Sequence, residues 1–332
     1  MSPPNSQKVL VVGGAGYIGA HVCERLAREG YAPVTLDNLQ SGREDFVHWG
    51  PLVEVDLRDR DATFKALARH PDASAVVHLA SSIEVGLGER EPSRFWTNNL
   101  VGALNLLDAM REVELDRLIF SSTCATYGSS AVLPLTESLP QEPFSTYGQT
   151  KLATEHLIRG FASAHGLRFV TLRYFNAAGA STTAPIGEAH DPETHLIPIA
   201  LEAAAGRRGP LTLFGTDYPT PDGTCLRDYI HVADIAGAHI KALEAFGRGL
   251  DRAEVNIGTG TPSSNREILE AVERVTGLPV PHTEGPRRPG DVPALWADAT
   301  LAREVLNWEP EHSDLDNIIA SAWDWHRSQW RE

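Results

Sequence analysis

KVLVVGGAGYIG, residues 8–19, is a short apolar run that passes without interruption into a turn of glycines and then a helical segment. Gly13, Gly16 and Gly19 give the spacing G-x-x-G-x-x-G. Residues without side chains let the backbone turn sharply and approach a pyrophosphate, whose charge then rests at a helix amino terminus. A glycine-rich turn alone is weak evidence, but here it follows a strand and opens a helix, as a dinucleotide fingerprint requires. The motif therefore predicts a nucleotide site at the first strand.

Further nearly continuous apolar runs lie at residues 33–36, 52–55, 75–79, 118–121 and 169–172, separated by segments with helical spacing such as 20–29 and 99–111. Strands that read this way are buried on both faces, as in a parallel sheet covered by helices. The fold class is α/β: a doubly wound parallel sheet of Rossmann type with a smaller, loop-rich carboxy-terminal substrate lobe. After Asn176 the chain becomes rich in Gly, Pro, Thr and Asp, with two further helices at 197–205 and 265–275 and an extra strand at 253–257 between them. The expected division is a nucleotide domain over 8–176, completed by 229–258, and a substrate lobe formed by 177–228 and 259–332.

Composition narrows the function classes. The 332 residues are 42% hydrophobic and 22% charged, ordinary for a globular chain with a sizeable core. A net charge of −15 without a strongly basic stretch argues against nucleic acid and anionic membrane as partners. No apolar run approaches a membrane span. Cys23, Cys124 and Cys225 are an odd, scattered set that reads as free thiols in a cytoplasmic protein. Residues 1–7 read as a short disordered lead-in and not as a targeting signal.

Asp37 stands 24 residues after Gly13, at the end of the second predicted strand. A carboxylate there accepts hydrogen bonds from the adenosine ribose and repels a 2′-phosphate, which favours NAD over NADP. Asp56 and Leu57, closing the third strand, could flank the adenine. Tyr147 and Lys151, four apart at the start of a helix, share one face. A phenol is a poor base at neutral pH unless a nearby cation favours its phenolate, and the Lys151 ammonium is expected to do so. Thr123 ends the fifth strand, where a hydroxyl can bridge a substrate hydroxyl to Tyr147; Ser122 and Thr126 remain alternatives.

The GGAGYIGAH turn, Asp37-Asn38, SSTCATYG (residues 121–128), YGQTK (147–151), RYFN (173–176) and RDYIH (227–231) resemble an extended short-chain dehydrogenase/reductase. GTDYPTPDGTCLRDYIHV (215–232) and RRPGDVPALWAD (287–298) are similar to the UDP-galactose 4-epimerases of that superfamily, a resemblance running from about Lys8 to Trp325. It implies Tyr147 as catalytic base, Lys151 orienting it and the nicotinamide ribose, and Thr123 in the catalytic Ser/Thr position. It implies NAD contacts at Gly13, Gly16, Tyr17, Ile18, Gly19, Asp37, Asn38, Asp56, Leu57, Leu79, Asn98 and Phe175. UDP-hexose contacts are implied at Asn176, His195, Leu196, Thr212, Phe214, Arg227, Arg288, Asp291 and Leu295. The activity implied is C4 epimerisation between UDP-glucose and UDP-galactose through a transient 4-keto sugar, with NAD recycled, in a homodimer built on helices 99–111 and 148–165.

Two positions depart from the pattern. Ile83 stands where the family commonly has a lysine near the nicotinamide ribose, and Leu295 stands where many members have an aromatic residue. Ile83 bears on how tightly NAD is retained, and Leu295 keeps open a related reading, a UDP-N-acetylhexosamine or UDP-pentose 4-epimerase. A dehydratase or decarboxylase of this fold usually has an acidic residue after the Thr or Ser, whereas Cys124 and Ala125 follow here; a non-catalytic NAD(H) sensor tends to lose the Tyr/Lys pair. His190, Asp191, Glu193 and His195 cluster in sequence without recognisable ligand spacing and read as a solvated loop, with no metal expected. Trp323, Trp325 and Trp330 read as helix packing.

Overall fold

The structure is a computed structural model that describes residues 7–130, 132–288 and 290–330; residues 1–6 of the expected lead-in lie outside the described residues. Its first half runs β1 (Lys8–Val12), α1 (Tyr17–Arg28), β2 (Ala32–Asp37), β3 (Leu52–Glu54), α2 (Arg60–Ala68) and β4 (Ala73–His78). It continues through α3 (Val85–Arg90), α4 (Pro92–Phe95), α5 (Gly102–Glu112), β5 (Arg117–Thr123), α6 (Thr146–His165) and β6 (Arg168–Tyr174). The second half opens with β7 (Asn176–Ala178), α7 (Leu196–Ala204), β8 (Leu211–Phe214), β9 (Leu226–Arg227), β10 (Tyr229–His231), α8 (Val232–Gly247) and β11 (Arg252–Ile257). It closes with β12 (Ser263–Ser264), α9 (Asn265–Thr276), β13 (His282–Gly285), β14 (Ala294–Leu295), α10 (Thr300–Leu306) and α11 (Leu315–Gln329).

Seven parallel strands form the central sheet in the order β11-β6-β5-β4-β1-β2-β3. Alternate residues of one strand feed opposite faces. Val9 and Val11 enter the core beneath α1 and α8, while Leu10 and Val12 enter the core beneath α2, α5 and α6. This two-sided burial is why the strands read as continuous apolar runs and not as alternating ones. A third core, containing Ile197, Leu201, Ile268, Val272, Ile318 and Ile319, joins α7, α9 and α11.

The order reverses between β1 and β4, which places a crevice at their carboxyl ends. The expected extra strand is β11, the seventh strand of the sheet, paired with β6. The third strand is shorter than expected, ending at Glu54, so Asp56 and Leu57 lie just beyond it. The segment expected as one helix over 99–111 begins with a π-helical turn, Trp96–Val101, before α5. Helices α2, α3, α4, α8 and α10 and the small strands of the second half were not anticipated, while the tryptophans read as helix packing lie on and just after α11. The apolar residues of α8, among them Ile235, Ala236, Ala238, Ile240, Ala242 and Phe246, cover more than half of the helix circumference, which blurs its period. Among the described residues no helix is long and apolar enough to cross a membrane.

Candidate active site

Gly13 has φ of +82°, and a Cβ there would lie 2.6 Å from the Ala80 nitrogen at the end of β4. A Cβ on Gly19 would lie 2.0 Å from the Gly13 carbonyl oxygen, so the helix can start against the turn only because both are glycine. Gly16 is the N-cap of α1, and no side chain caps the helix. Its exposed N–H groups therefore suit an anion.

Asp37, 8% exposed, accepts from the Ala15 N–H at 3.1 Å and the Leu39 N–H at 2.9 Å. Two of its four acceptor positions remain for ribose hydroxyls. Burial raises its carboxyl above the ordinary value, while these backbone donors oppose the shift. Asn38 donates to Asp56 at 3.4 Å, and Asp56 is held well below its usual range by Arg58. Leu57 is buried, and its carbonyl accepts from Asn105 at 2.8 Å. The side chains of Tyr17 and Ile18 turn into the protein: the Tyr17 hydroxyl donates to the Gly179 carbonyl at 2.6 Å, and Ile18 packs on the core. What these two offer a dinucleotide is backbone.

The loop after β4 is held from the π-helical turn. Asn99 accepts from the Ser82 N–H at 2.7 Å and donates to Thr150 of α6 at 3.0 Å, while Asn98 donates to the Ser82 hydroxyl at 3.0 Å. Leu79 closes onto Val12 through its N–H at 2.8 Å, and Ile83 is exposed beside it. Reading the sequence identified Asn98 but missed Asn99, because a π turn, frequent at functional sites, rotates two successive side chains toward one loop.

Ser145 starts α6, its hydroxyl accepting from the Gly148 N–H at 3.1 Å. Tyr147 and Lys151 therefore stand one turn apart at the helix amino end, beside the carboxyl end of β5. Thr123 is the last residue of β5, its hydroxyl accepting from the Ala125 N–H at 3.1 Å. Burial pushes the Tyr147 phenol well above its ordinary value, and the Thr123 hydroxyl is the group that opposes the rise. The expected lowering by Lys151 is not found. That ammonium is 3% exposed, donates to the Ser121 carbonyl at 2.8 Å and lies 5.9 Å from the Tyr147 ring centre. Burial brings Lys151 itself down to about 7 despite the attraction of Glu155.

Beneath these residues lies a buried network that reading the sequence missed. Arg173, 1% exposed, donates to both oxygens of Glu155 at 3.0 and 2.8 Å, to Glu254 at 2.6 Å and to the Tyr127 hydroxyl at 3.0 Å. Ser122 donates to Glu155 at 2.6 Å, which engages it structurally and leaves Thr123 as the hydroxyl nearest Tyr147. Thr126 donates to the Thr123 carbonyl at 2.9 Å and is likewise engaged. Glu155 lies one turn beyond Lys151 on α6, a spacing that could have signalled it.

The residues implied for a UDP-sugar fall into three places, the first of them beside Phe175, which is implied for NAD, and Cys124. Phe175, Cys124 and Leu295 share one apolar cluster, and Leu295 on β14 pairs with Arg227 on β9, while Asn176 opens β7. Phe214 on β8 lies 5.2 Å beneath the Arg288 guanidinium, which is also paired with Asp291 at 3.0 Å; Thr212 on the same strand faces Gly285 of β13. His195 is the N-cap of α7 and Leu196 its first residue. The loop that leads into them is solvated at Asp191, Pro192, Thr194 and His195 as expected, but the Glu188 and Glu193 side chains turn inward and are only 6% exposed. Of the carboxy-terminal tryptophans, Trp325 is buried against Phe46, and Trp323 packs edge-on against Trp330.

Residues 9–258 match the model of the NAD dependent epimerase/dehydratase family. The chain is 48% identical over 321 residues to a UDP-glucose 4-epimerase of Rhizobium meliloti, covering 97% of both, and 45% identical to one of Streptomyces lividans at the same coverage. The chain belongs to the NAD-dependent epimerase/dehydratase family. Among solved structures it is similar to the Brucella ovis UDP-glucose 4-epimerase in complex with NAD, with a TM-score of 0.94 and 48% identity, covering 96% of this chain and 98% of that one. It is also similar to the UDP-Glc/GlcNAc 4-epimerase of Campylobacter jejuni, with a TM-score of 0.85 and 36% identity, covering 97% and 100%. NAD is the cofactor of this epimerase/dehydratase, and the uncapped start of α1, the spare acceptors of Asp37 and the β1–β4 crevice fit it.

Proposed function

We propose that the protein is a UDP-sugar 4-epimerase that interconverts UDP-glucose and UDP-galactose. The observation that carries this reading is the gathering of Thr123, Tyr147 and Lys151 at the carboxyl end of β5, beside the dinucleotide crevice, in a chain similar to UDP-glucose 4-epimerases along nearly its whole length. NAD, when bound, supplies a reversible two-electron store. Tyr147 takes the proton from the sugar 4-hydroxyl and later returns it, with Thr123 bridging the two oxygens. Lys151, donating to the Ser121 carbonyl, would orient Tyr147 and the nicotinamide ribose, while the Thr123 hydroxyl opposes the burial-driven rise of the Tyr147 phenol. The 4-keto sugar turns over between the two proton transfers, which requires UDP to be held firmly and the hexose loosely. Arg227 and Arg288 suit the diphosphate because a guanidinium offers forked, charge-assisted donors; for Arg288 the Asp291 pair must open.

The remaining assignments belong to the same reading. Gly13, Gly16, Gly19, Asp37, Asn38 and Asn98 hold NAD, and Asn176, His195, Leu196, Thr212, Phe214 and Leu295 surround the UDP-sugar. The sheet with α1–α6, α8 and β11 forms the cofactor domain and residues 177–228 and 259–332 the substrate lobe. The protein is placed in the cytoplasm as a homodimer through α5 and α6, without nucleic-acid partners. Val101 and Leu104, exposed where the π turn enters α5, support that dimer face. A second reading, turnover of UDP-N-acetylhexosamines, is favoured by Leu295, which is smaller than an aromatic side chain. Incubation with UDP-galactose followed by separation of the sugar nucleotides tests the proposal: UDP-glucose should accumulate to equilibrium, and unchanged UDP-galactose would refute it.

A further inference from the structure

The loop leading into α7 brings together four side chains that the epimerase chemistry does not use as a group. Glu188, His190, Glu193 and His195 each offer one ligand atom, and these atoms all lie within 4.8 Å of one another. The Glu188 oxygen Oε1 is 2.7 Å from His195 Nδ1 and 3.2 Å from His190 Nδ1; Glu193 Oε1 is 3.0 Å from His195 Nδ1 and its Oε2 is 3.7 Å from His190 Nδ1. Simple ion pairing would match each carboxylate with one imidazole. Here both carboxylates face both imidazoles, so the four groups converge on one point.

Burial strengthens the case. Enclosed carboxylates are costly unless paired or coordinated, and these two side chains are only 6% exposed. Despite its proximity to Glu188, the enclosed His190 Nδ1 has no well-directed hydrogen bond among the described residues. Glu193 is already oriented: its Oε1 accepts from the backbone N–H groups of Thr194 at 2.7 Å and His195 at 2.8 Å. Supporting bonds of this kind fix a carboxylate ligand. Four ligands around a tetrahedral ion with bonds near 2.0–2.1 Å would stand about 3.4 Å apart; the carboxylate–imidazole separations of 2.7–3.7 Å bracket that value, and the whole set, within 4.8 Å, would contract slightly on binding.

We propose that Glu188, His190, Glu193 and His195 form a binding site for one divalent transition-metal ion of the Zn2+ class. Two imidazole nitrogens with two carboxylate oxygens suit Zn2+ and its Co2+ surrogate better than the all-oxygen shells of Mg2+ or Ca2+. The ion would be structural. The Tyr17 ring at the start of α1 lies edge-on to His190 at 6.4 Å, and Trp325 of α11 donates to the Glu188 carbonyl at 2.9 Å. A metal there ties the first helix of the dinucleotide site to α7 and α11. The inference does not rest on which sugar is turned over, although His195 also stands among the residues proposed to surround the UDP-sugar.

The test uses untagged full-length protein treated with chelator and titrated with CoCl2. The expected result is one Co2+ per chain with the intense visible absorption of four-coordinate Co2+, abolished by stoichiometric ZnCl2, and a melting temperature that rises with added Zn2+. His190→Gln and Glu193→Gln, checked for native circular dichroism, should each weaken binding at least about tenfold. The wild-type titration stands even if a variant fails to fold. Absence of stoichiometric binding to wild type would overturn the proposal. So would equal binding by folded His190→Gln, which would place the ion elsewhere.

Discussion

Replacing Lys151 with methionine should make the protein more stable and nearly inactive. The ammonium is enclosed, and burial brings it from its ordinary 10.5 to about 7, a difference that corresponds to about 5 kcal/mol. A lysine whose folded value lies below its unfolded value costs stability fully below the folded value, and that cost fades as the pH rises toward the unfolded one. At pH 7 the penalty is about 4 kcal/mol by this relation. Methionine removes it while filling similar space, but leaves the Ser121 carbonyl without the donor now at 2.8 Å, a loss of about 1–3 kcal/mol. The net gain is about 1–3 kcal/mol. For a chain of 332 residues that is a rise of roughly 2–4 °C in Tm, taking about 2 cal/mol/K of unfolding entropy per residue. Urea and thermal unfolding of both proteins, stripped of NAD, would measure it at pH 7 and pH 10; at pH 10 the penalty on the lysine falls to about 1 kcal/mol, so the lost Ser121 bond prevails and the variant should be equal to wild type or less stable by up to about 2 kcal/mol. A variant less stable than wild type at pH 7, or an advantage that persists unchanged at pH 10, would show that the lysine is not held against its hydration.

Tyr147→Phe should fold, retain NAD and lose at least about 100-fold in kcat, the lower range for an acid–base group; near-normal turnover would remove Tyr147 from its role. Protein purified without added cofactor should release NAD on denaturation, as measured by absorbance or enzymatic cycling, because epimerisation returns the electrons it borrows. Strict dependence on added NADP would contradict the part given to Asp37. Wild type should convert UDP-N-acetylgalactosamine more slowly than UDP-galactose, and Leu295→Tyr should widen that kcat/KM ratio by roughly tenfold or more, a pocket-filling effect of about 1–3 kcal/mol; equal discrimination by both proteins would show that Leu295 is not the gate.

The central sheet was legible because each of its main strands is buried on two sides, and Gly13 and Gly19 were legible because contacts of 2.6 and 2.0 Å exclude any side chain. The Tyr147–Lys151 pair was legible from helical spacing alone. Its electrostatics were not: spacing places Lys151 beside Tyr147 but cannot show that Nζ turns toward the Ser121 carbonyl. The strands β9, β12 and β14 are two residues long and owe their pairing to distant partners, so no local pattern announces them. The loop from Glu188 to His195 looked solvated because its charges are dense; the buried position of Glu188 depends on Trp325, well over a hundred residues later.

The Arg173 network means that the catalytic helix is not self-supporting. Glu155 on α6 is braced through Arg173 on β6 by Glu254 on β11, and Arg159 of α6 reaches the same carboxylate at 2.5 Å. A fragment ending at residue 176 would contain the glycine turn, Thr123, Tyr147 and Lys151, yet would leave Arg173 without one of its two counterions and β6 as a bare edge. Such a piece is not a minimal cofactor-binding module. Any effort to graft this site onto another scaffold, or to permute the chain, must keep β11 with it.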